Sequence, residues 1–372
     1  MMEIKEELQQ ALKRLGYHEF TDVQRQTLPH TLNKEDVRVQ APAGSGKTLS
    51  YILPILNSIP LQDTKKHIPQ ALILAPTREL SLQIADVIRN MLFHIEGYRT
   101  AVLTGGIDIK VQIRNNAKGA DIIVGTPSRI LDHIHRHTVK LQNCRILVLD
   151  EADEMLSMGF EKDVREVISY LNEHQTMLFS ATYNKQVTEL SNDILNNPYT
   201  VTIKEKVLPL KVTYHQVLVN DNHKLEETLR ILRKAKTQAI LFTNRKATAD
   251  FVSEYLNANG ILAGAIHSDM NYALRKKTMQ QFRNSTLQVL CATSVASRGI
   301  DIPAMECVIL YDIPDTKEEI IHRTARTGRN GIPGNAWLLC NKQEARKYDY
   351  SKMFKDLQIH KAKQEMKKNV LR

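Results

Sequence analysis

"VQAPAGSGKTLS", residues 39–50, places glycines and a lysine between an apolar stretch and a run of helix-forming residues. Such a strand-to-helix turn is typical of a phosphate-binding loop, in which Gly44 and Gly46 let backbone N–H groups surround phosphate oxygens. In such a loop Lys47 reaches the outer phosphates and the Thr48 hydroxyl binds Mg²⁺. The strict pattern has one further glycine, and a glycine-rich turn without a ligand is the structural alternative. The lysine–threonine pair in register favours the phosphate loop.

Short apolar segments recur on both sides of this loop, with amphipathic segments between them. In the first half of the chain they are VRVQAP, ALILAP, RTAVLTG, DIIVGTP, RILVLD and TMLFSAT, and in the second half VTYHQVLV, QAILFTN, ILAGAIHS, LQVLCAT, CVILYD and GNAWLLC. Segments that are apolar throughout predict strands buried on both faces of a parallel sheet. The amphipathic segments predict the helices of right-handed βαβ units.

The alternation pauses at NNPYTVTIKEKVLPLK, residues 196–211. A chain of 372 residues is long for a single hydrophobic core. We therefore predict two α/β domains of similar size, at residues 1–203 and 212–372, joined by a short linker at residues 204–211. Only the first domain carries a phosphate loop.

The composition favours a polyanionic partner. The formal net charge is +10, and the stretch from Lys342 to Arg372 is strongly basic; a solvated helical surface is the alternative for that stretch.

No segment approaches about 20 apolar residues, so no membrane partner is expected. The amino terminus lacks a signal-peptide core, which favours a cytoplasmic location. The four scattered cysteines indicate reduced thiols.

"RILVLDEADEM", residues 145–155, is an apolar strand that ends abruptly in carboxylates. Asp150 is placed to hold Mg²⁺, largely through water, and Glu151 to orient and deprotonate an attacking water. The alternative is that the acidic residues favour a helix N-terminus, a role open to Asp153 and Glu154. Because a phosphate loop lies upstream, the catalytic interpretation is preferred for Asp150 and Glu151. The histidines of LDHIHRHTV have no second ligand cluster, so no metal site is predicted there.

The ordered set of motifs resembles one family. The motifs are PTREL at residues 76–80, DEAD at 150–153, SAT at 180–182 and HRTARTGR at 322–329. From about Gly16 to Gly334 the chain resembles the DEAD-box ATP-dependent RNA helicases. The resemblance implies two tandem RecA-like parallel-sheet domains, ATP and Mg²⁺ as cofactors, and RNA bound mainly through its backbone, without strong sequence preference.

The resemblance also implies roles for individual residues. ATP binding is expected of Tyr17, Gln24, Ala43, Gly44, Ser45, Gly46, Lys47, Thr48, Gly299 and Asp301. Catalysis is expected of Lys47, Asp150, Glu151, Arg326 and Arg329, and coupling between the sites of Asp153, Ser180, Thr182, His322 and Arg323. RNA contacts are expected of Pro76, Thr77, Arg78, Gly105, Gly106, Thr126, Pro127, Arg129, Thr243, Asn244, Arg245, Arg275 and Thr293.

The activity implied by the resemblance is that of an RNA-dependent ATPase. It would bind single-stranded RNA across both domains and locally unwind short duplexes or remodel RNA–protein complexes. Two alternatives stay open: an ATP-gated RNA clamp or assembly factor with little unwinding, and a DNA translocase. The sequence leaves open which RNA is bound and whether any partners act in ribosome assembly or RNA decay.

Overall fold

The structure is a computed structural model, which describes residues 4–42, 44–61, 66–203, 212–270, 272–293, 305–324, 326–328, 333–347 and 359–361. Internal contacts divide the chain into two compact units, Met1–Lys206 and Val207–Arg372. Each unit holds a seven-stranded sheet. The predicted linker at residues 204–211 lies outside the described residues, so its bounds stay a prediction.

The first unit alternates strands and helices. Its strands are β1 (Val37–Gln40), β2 (Ala71–Leu74), β3 (Thr100–Leu103), β4 (Ile122–Gly125), β5 (Ile146–Leu149), β6 (Gln175–Ser180) and β7 (Tyr199–Thr202). Its helices are α1 (Glu6–Arg14), α2 (Asp22–Leu32), α3 (Lys47–Ser58), α4 (Arg78–Met91), α5 (Ile109–Asn115), α6 (Pro127–His135), α7 (Ala152–Ser157), α8 (Glu161–Ser169) and α9 (Lys185–Ile194).

The first sheet is parallel throughout, in the order β3-β4-β2-β5-β6-β1-β7. Helices cover both of its faces, so successive strand residues enter opposite cores. In β5, Ile146 and Val148 belong to one hydrophobic core, while Leu147 and Leu149 belong to the other. This two-sided burial explains why the strand sequences are apolar without alternation. The predicted doubly covered parallel sheet is confirmed.

The edge strand β7 was not predicted. Its sequence YTVT lies in the stretch that was interpreted as a pause in the pattern, because of its prolines and lysines. In β7 only Val201 is buried, and the strand pairs with β1 on one side. With one aliphatic residue among its four, this edge strand leaves little hydrophobic signal in the sequence.

The second unit repeats the architecture. Its strands are β8 (Val212–Leu218), β9 (Ala239–Thr243), β10 (Ala263–Ile266), β11 (Val289–Thr293), β12 (Cys307–Leu310), β13 (Gly334–Cys340) and β14 (Ile359–Lys361), in the parallel order β10-β11-β9-β12-β13-β8-β14. Its helices are α10 (Lys224–Ala235), α11 (Lys246–Ala258), α12 (Tyr272–Arg283), α13 (Lys317–Thr324) and α14 (Lys342–Lys347), with a 3-10 turn at Asp221–His223.

Strand register brings the sequence motifs of the first unit to one edge of its sheet. Leu74 lies opposite both Leu149 and Gly125, and Gln40 lies opposite Ser180. The segments that follow β1, β2, β4, β5 and β6 therefore leave the sheet side by side. The carboxyl edge of a parallel sheet is where ligands bind in open α/β folds.

Candidate functional site

The loop between β1 and α3 has the conformation that its glycines allow. Gly46 precedes α3 with φ of 95°, a left-handed value that favours glycine. A Cβ atom there would lie 2.7 Å from Gln24 Nε2 and 2.9 Å from Thr21 Oγ1, so the position has no room for a side chain. Gly44 is also left-handed, with φ of 78°. Ala43 lies outside the described residues.

Two polar side chains of this loop are buried. The Lys47 ammonium donates a hydrogen bond to the Ala41 carbonyl over 2.7 Å. Ser45 Oγ is buried and has no hydrogen-bond partner among the residues that the structure describes. A buried hydroxyl without a partner costs free energy, so a bound ligand that offers an acceptor or donor here would be favoured. Thr48 follows as the second residue of α3 and is half-buried.

Gln24 ties the start of α2 to the same loop. Its Oε1 accepts the Thr21 backbone N–H over 2.9 Å, and its Nε2 donates to the Gly46 carbonyl over 3.0 Å. Gln24 is buried. Among the described residues its two hydrogen bonds use one amide hydrogen and one oxygen lone pair, so the other hydrogen and the other lone pair could meet a ligand. Tyr17, the aromatic residue of the same sequence motif, is 42% exposed.

The carboxylates after β5 are held close to the loop. Asp150 is 3% exposed and accepts two hydrogen bonds, from the Tyr51 hydroxyl over 2.8 Å and from the Glu151 backbone N–H over 3.0 Å. Glu151 has φ of 51°, a conformation rare outside glycine and frequent at functional sites. Tyr51 was not predicted from the sequence as a residue of this site. Its hydroxyl lies in the apolar helix α3, and such a buried hydroxyl requires a polar partner.

Burial shifts the acidity of this pair. Desolvation raises the pKa of Asp150, whereas the Lys47 ammonium and the Tyr51 hydroxyl act to lower it. Desolvation and the adjacent Asp150 raise the pKa of Glu151 to about 7. A carboxylate with a pKa near neutrality is suited to accept and release a proton at physiological pH. The arrangement can therefore do acid–base chemistry beside a bound cation or phosphate.

The predicted coupling residues of the first unit lie together. Asp153 Oδ2 accepts hydrogen bonds from Thr182, over 2.9 Å from the backbone N–H and 2.8 Å from the hydroxyl. Ser180 Oγ accepts the Asp153 backbone N–H over 3.2 Å and donates to the Thr182 carbonyl over 2.7 Å. The segment after β5 and the segment after β6 are thereby bonded to each other.

Three segments expected to contact RNA meet around the turn at residues 104–107. From the segment after β2, Arg78 Nη1 lies 3.5 Å from the Gly105 carbonyl. From the segment after β4, Arg129 Nη1 donates to the Ile107 carbonyl over 2.8 Å. Gly105 and Gly106 are exposed. Pro76 and Pro127 are buried, Thr126 is half-buried, and the Thr77 hydroxyl caps α4 by accepting the Leu80 N–H.

Gln112 and His133 complete this region and were not predicted as functional residues. Gln112 is a buried amide on α5 that contacts Arg129, and His133 is a buried imidazole on α6 that contacts Gln112. No regular spacing in the sequence joins a glutamine and a histidine 21 positions apart. Only the packing of α5 against α6 brings them together.

The second unit places its predicted RNA residues at the carboxyl ends of β9 and β11. Thr243 and Thr293 lie opposite each other and are both buried. The Asn244 amide donates to the Ile313 carbonyl over 3.1 Å and accepts from Arg323 over 2.8 Å. Arg245 is exposed before α11, and Arg275 is half-buried on α12.

The three arginines of HRTARTGR differ in their surroundings. Arg323 is 4% exposed and donates to Asn244, to the Asp312 carbonyl over 3.1 Å and to Glu319 over 2.9 Å. Arg326 is half-buried in the turn after α13, and His322 belongs to α13. Arg329, Gly299 and Asp301 lie outside the described residues.

Within the described part of the chain, no group of three or more His, Cys, Asp or Glu side chains could hold a metal ion by itself. None of the helices in those same residues is both long and apolar enough to cross a bilayer.

Known proteins are similar to this chain in both sequence and fold. The profile of the DEAD/DEAH box helicase family matches residues 21–190, and that of the helicase conserved C-terminal domain matches residues 222–331. The DEAD-box ATP-dependent RNA helicase CshA of Bacillus cereus is 38% identical over 345 residues, 92% of this chain and 65% of that relative. This chain thus spans somewhat under two thirds of that relative's length.

Two further comparisons cover more of the matched protein. CshA of Geobacillus kaustophilus is 36% identical over 92% of this chain and 73% of its own length. The solved structure of S. cerevisiae Dbp5 bound to RNA and ADP BeF3 is 27% identical, with a TM-score of 0.84, over 97% of this chain and 94% of that one. Because the family profiles match in order and the relatives align along nearly the whole sequence, the chain belongs to the DEAD-box family of ATP-dependent RNA helicases.

Proposed function

We propose that the chain is an RNA-dependent ATPase that binds single-stranded RNA across its two units. It would use ATP to unwind short RNA duplexes locally or to remodel RNA–protein complexes. The observation that carries the proposal is the buried Asp150 and the half-buried Glu151 beside Lys47, which join a phosphate loop to a group able to accept a proton near pH 7. The name and activity of the CshA relatives support it.

ATP would be held by the loop before α3. Its phosphate oxygens supply acceptors for Ser45 Oγ, which has none among the described residues, and for Lys47, which is bonded to a backbone carbonyl. The further contacts proposed for the nucleotide are those of Tyr17, Gln24, Ala43, Gly44, Gly46, Thr48, Gly299 and Asp301.

The residues around Asp150 suit Mg²⁺. A buried carboxylate and the Thr48 hydroxyl are oxygen donors, the type that Mg²⁺ prefers. Desolvation raises the pKa of Asp150, and a cation beside the carboxylate would favour its ionised form. Thr48 and Asp150 would hold the ion, Asp150 largely through water. When bound, the ion would neutralise phosphate charge.

The proposed reaction is hydrolysis of the terminal phosphate. The Glu151 carboxylate takes a proton from water, the water oxygen bonds to the γ-phosphorus, and the bond to the β–γ bridging oxygen breaks to leave ADP and phosphate. Lys47, Arg326 and Arg329 supply positive charge for the transferred phosphoryl group. Loss of one such arginine typically lowers the rate by roughly 10³–10⁵.

RNA would be bound through its sugar–phosphate backbone. Arginines, hydroxyls and backbone amides at the carboxyl edge of a sheet position a strand without reading bases. In the first unit the turn at residues 104–107 joins Arg78 and Arg129 into one surface. Yeast Dbp5, which shares 27% identity with this chain, was solved with RNA and ADP BeF3. In the second unit the proposed contacts are Thr243, Asn244, Arg245, Arg275 and Thr293.

Coupling would pass through the hydrogen bonds between Asp153, Ser180 and Thr182. Because these bonds join the segment that carries Glu151 to the segment after β6, a shift in one moves the other. His322 and Arg323 are the proposed coupling residues of the second unit. Since ATP and RNA would each favour the same arrangement, each should raise the affinity for the other.

The test is the ATPase rate of the full chain with and without single-stranded RNA, and with single-stranded DNA of the same sequence. We expect stimulation by RNA and little by DNA. Equal rates with and without RNA would discard the proposed coupling, and equal stimulation by DNA would favour a translocase. Strand displacement on a short RNA duplex then separates a helicase from an RNA clamp, which would bind without displacing.

A further inference from the structure

Gln112 is a buried side chain that connects the two segments next to it on the RNA-binding edge. It is 5% exposed, and its Nε2 donates to the Thr104 carbonyl over 2.8 Å. Its Oε1 accepts from Arg129 Nη1 over 3.0 Å. A donor contact on one side and an acceptor contact on the other fix the orientation of the amide, because the reverse orientation would lose both hydrogen bonds.

Arg129 is in turn held at both of its Nη1 hydrogens, by Gln112 and by the Ile107 carbonyl. The guanidinium therefore has a defined position next to the glycine turn, and within the described part of the chain these two hydrogen bonds leave its Nε and Nη2 hydrogens for a ligand. A side chain fixed before binding loses less conformational entropy when it meets a phosphate.

His133 supports Gln112 from the other side. It is 1% exposed, and its Nε2 lies 3.1 Å from Gln112 Oε1, an atom that can only accept. Nε2 must therefore carry a hydrogen. Burial and the nearby Arg129 lower the pKa of His133, which favours the neutral imidazole with its hydrogen on Nε2. The Thr138 hydroxyl lies 2.8 Å from Nδ1 and 3.0 Å from the His133 carbonyl, so its single hydrogen is shared between these two acceptors.

We propose that Gln112, held in place by His133, is a positioning residue that sets Arg129 and the turn at residues 104–107 in the arrangement that binds the RNA backbone. This inference rests on the proposed binding of RNA. Neither side chain touches RNA, because both are buried. A fully bonded polar network of this kind fixes one arrangement, where an apolar residue of the same size would fill the space without orienting the arginine.

The experiment measures equilibrium binding of a labelled single-stranded oligoribonucleotide to the full chain with a non-hydrolysable ATP analogue, over a series of salt concentrations. Gln112→Met approximately keeps the volume and removes all three side-chain hydrogen bonds of Gln112, those with Thr104, Arg129 and His133. We expect its RNA Kd to rise about tenfold. Its log–log salt slope should fall by roughly 0.7, the value for one phosphate contact on a single strand, towards the slope of Arg129→Met.

The matched control is Gln175→Met. Gln175 is also a buried amide of the first unit, and it donates to the Thr31 and Glu35 carbonyls, at the start of β6 and away from the carboxyl edge. Gln175→Met should destabilise the unit comparably and leave the RNA Kd and its salt slope unchanged. An equal rise of RNA Kd in both variants would overturn the inference, since the effect would then come from general destabilisation.

The double variant Gln112→Met/Arg129→Met distinguishes positioning from a separate structural effect. If Gln112 acts mainly through Arg129, the loss of RNA affinity in the double variant is smaller than the product of the two single losses; fully multiplied losses would overturn the inference. Should Gln112→Met fail to fold, Thr138→Val removes the hydroxyl that contacts both Nδ1 and the backbone carbonyl of His133, and a rise in RNA Kd of about twofold is expected. An unchanged Kd there counts against the inference. A wild-type chain that binds no RNA would refute the proposed function itself.

Discussion

The hydroxyl of Tyr51 can be removed with little other change. In Tyr51→Phe the ring stays packed edge-on against Phe179, where the ring centroids are 5.2 Å apart. Asp150 loses the 2.8 Å hydrogen bond to Oδ2 and keeps only the bond from the Glu151 N–H to Oδ1. One oxygen of the proposed Mg²⁺-holding carboxylate is then no longer anchored. We expect the apparent affinity for Mg²⁺ to fall.

The size of the effect follows from the burial of the pair. A hydrogen bond to a charged group contributes about 1.5–3 kcal/mol, and both partners are almost fully buried. Loss of a group that orients a metal-holding residue typically costs 10–100-fold in metal affinity or activity. We therefore expect the Mg²⁺ midpoint for nucleotide binding to rise about tenfold. The thermal midpoint should fall by between about 3 and 12 °C.

The assay is binding of a fluorescent ATP analogue as a function of Mg²⁺ concentration, with thermal unfolding measured on the same protein. Tyr98→Phe is the control, because Tyr98 also donates a hydroxyl hydrogen bond, 3.0 Å to the Ile59 carbonyl, in the same unit. It should lower the thermal midpoint and leave the Mg²⁺ midpoint unchanged. A Tyr51→Phe protein with a Mg²⁺ midpoint within twofold of wild type would refute the reasoning.

Three further predictions concern the same unit. Glu151→Gln should retain ATP and RNA binding and lose about 10²–10⁴ in ATPase rate; full turnover would remove Glu151 from the role of base. Thr182→Val loses the 2.8 Å bond from its hydroxyl to a DEAD carboxylate, so RNA stimulation of the ATPase should decrease more than the rate without RNA. Gly106→Ala puts a Cβ 2.6 Å from Arg78 Nη1 and should weaken RNA binding. Gly159→Ala is the control, because Gly159 has a similar φ and a Cβ there would have no other atom within 4 Å. It should lower the free energy of unfolding by a comparable amount and leave RNA binding unchanged.

The sequence was sufficient for the architecture because the strands carry their own signal. A segment such as RILVLD is buried on both faces, and its apolar run ends where the sheet ends. The strand β7 lacked that signal because its sequence YTVT has one aliphatic residue, with a proline before it and lysines after it. The edge strand β3 also has one buried residue, but its sequence TAVL was apolar enough to predict a strand.

The contacts within the site depended on tertiary packing. The sequence motifs identified Asp150 and Arg129, but their hydrogen-bond partners Tyr51 and Gln112 lie elsewhere in the sequence, on α3 and α5. A tyrosine in an apolar helix or a glutamine in a short amphipathic one is common in any α/β domain. Such residues become informative only when the fold shows which polar atom each of them satisfies.

The candidate residues are largely bonded to one another, which bears on how the site could work. Arg323 is an example: its guanidinium is occupied by Asn244, Asp312 and Glu319. Arg323 is therefore held in place within the second unit, and in the proposed reaction the positive charge for phosphate would come from the other arginines of its motif. Groups fixed in this way need little rearrangement when charge develops on a ligand, and such preorganisation is a main source of electrostatic stabilisation in enzymes. The hydrogen bonds that fix these side chains in the fold would thus also contribute to the rate of the proposed ATP hydrolysis.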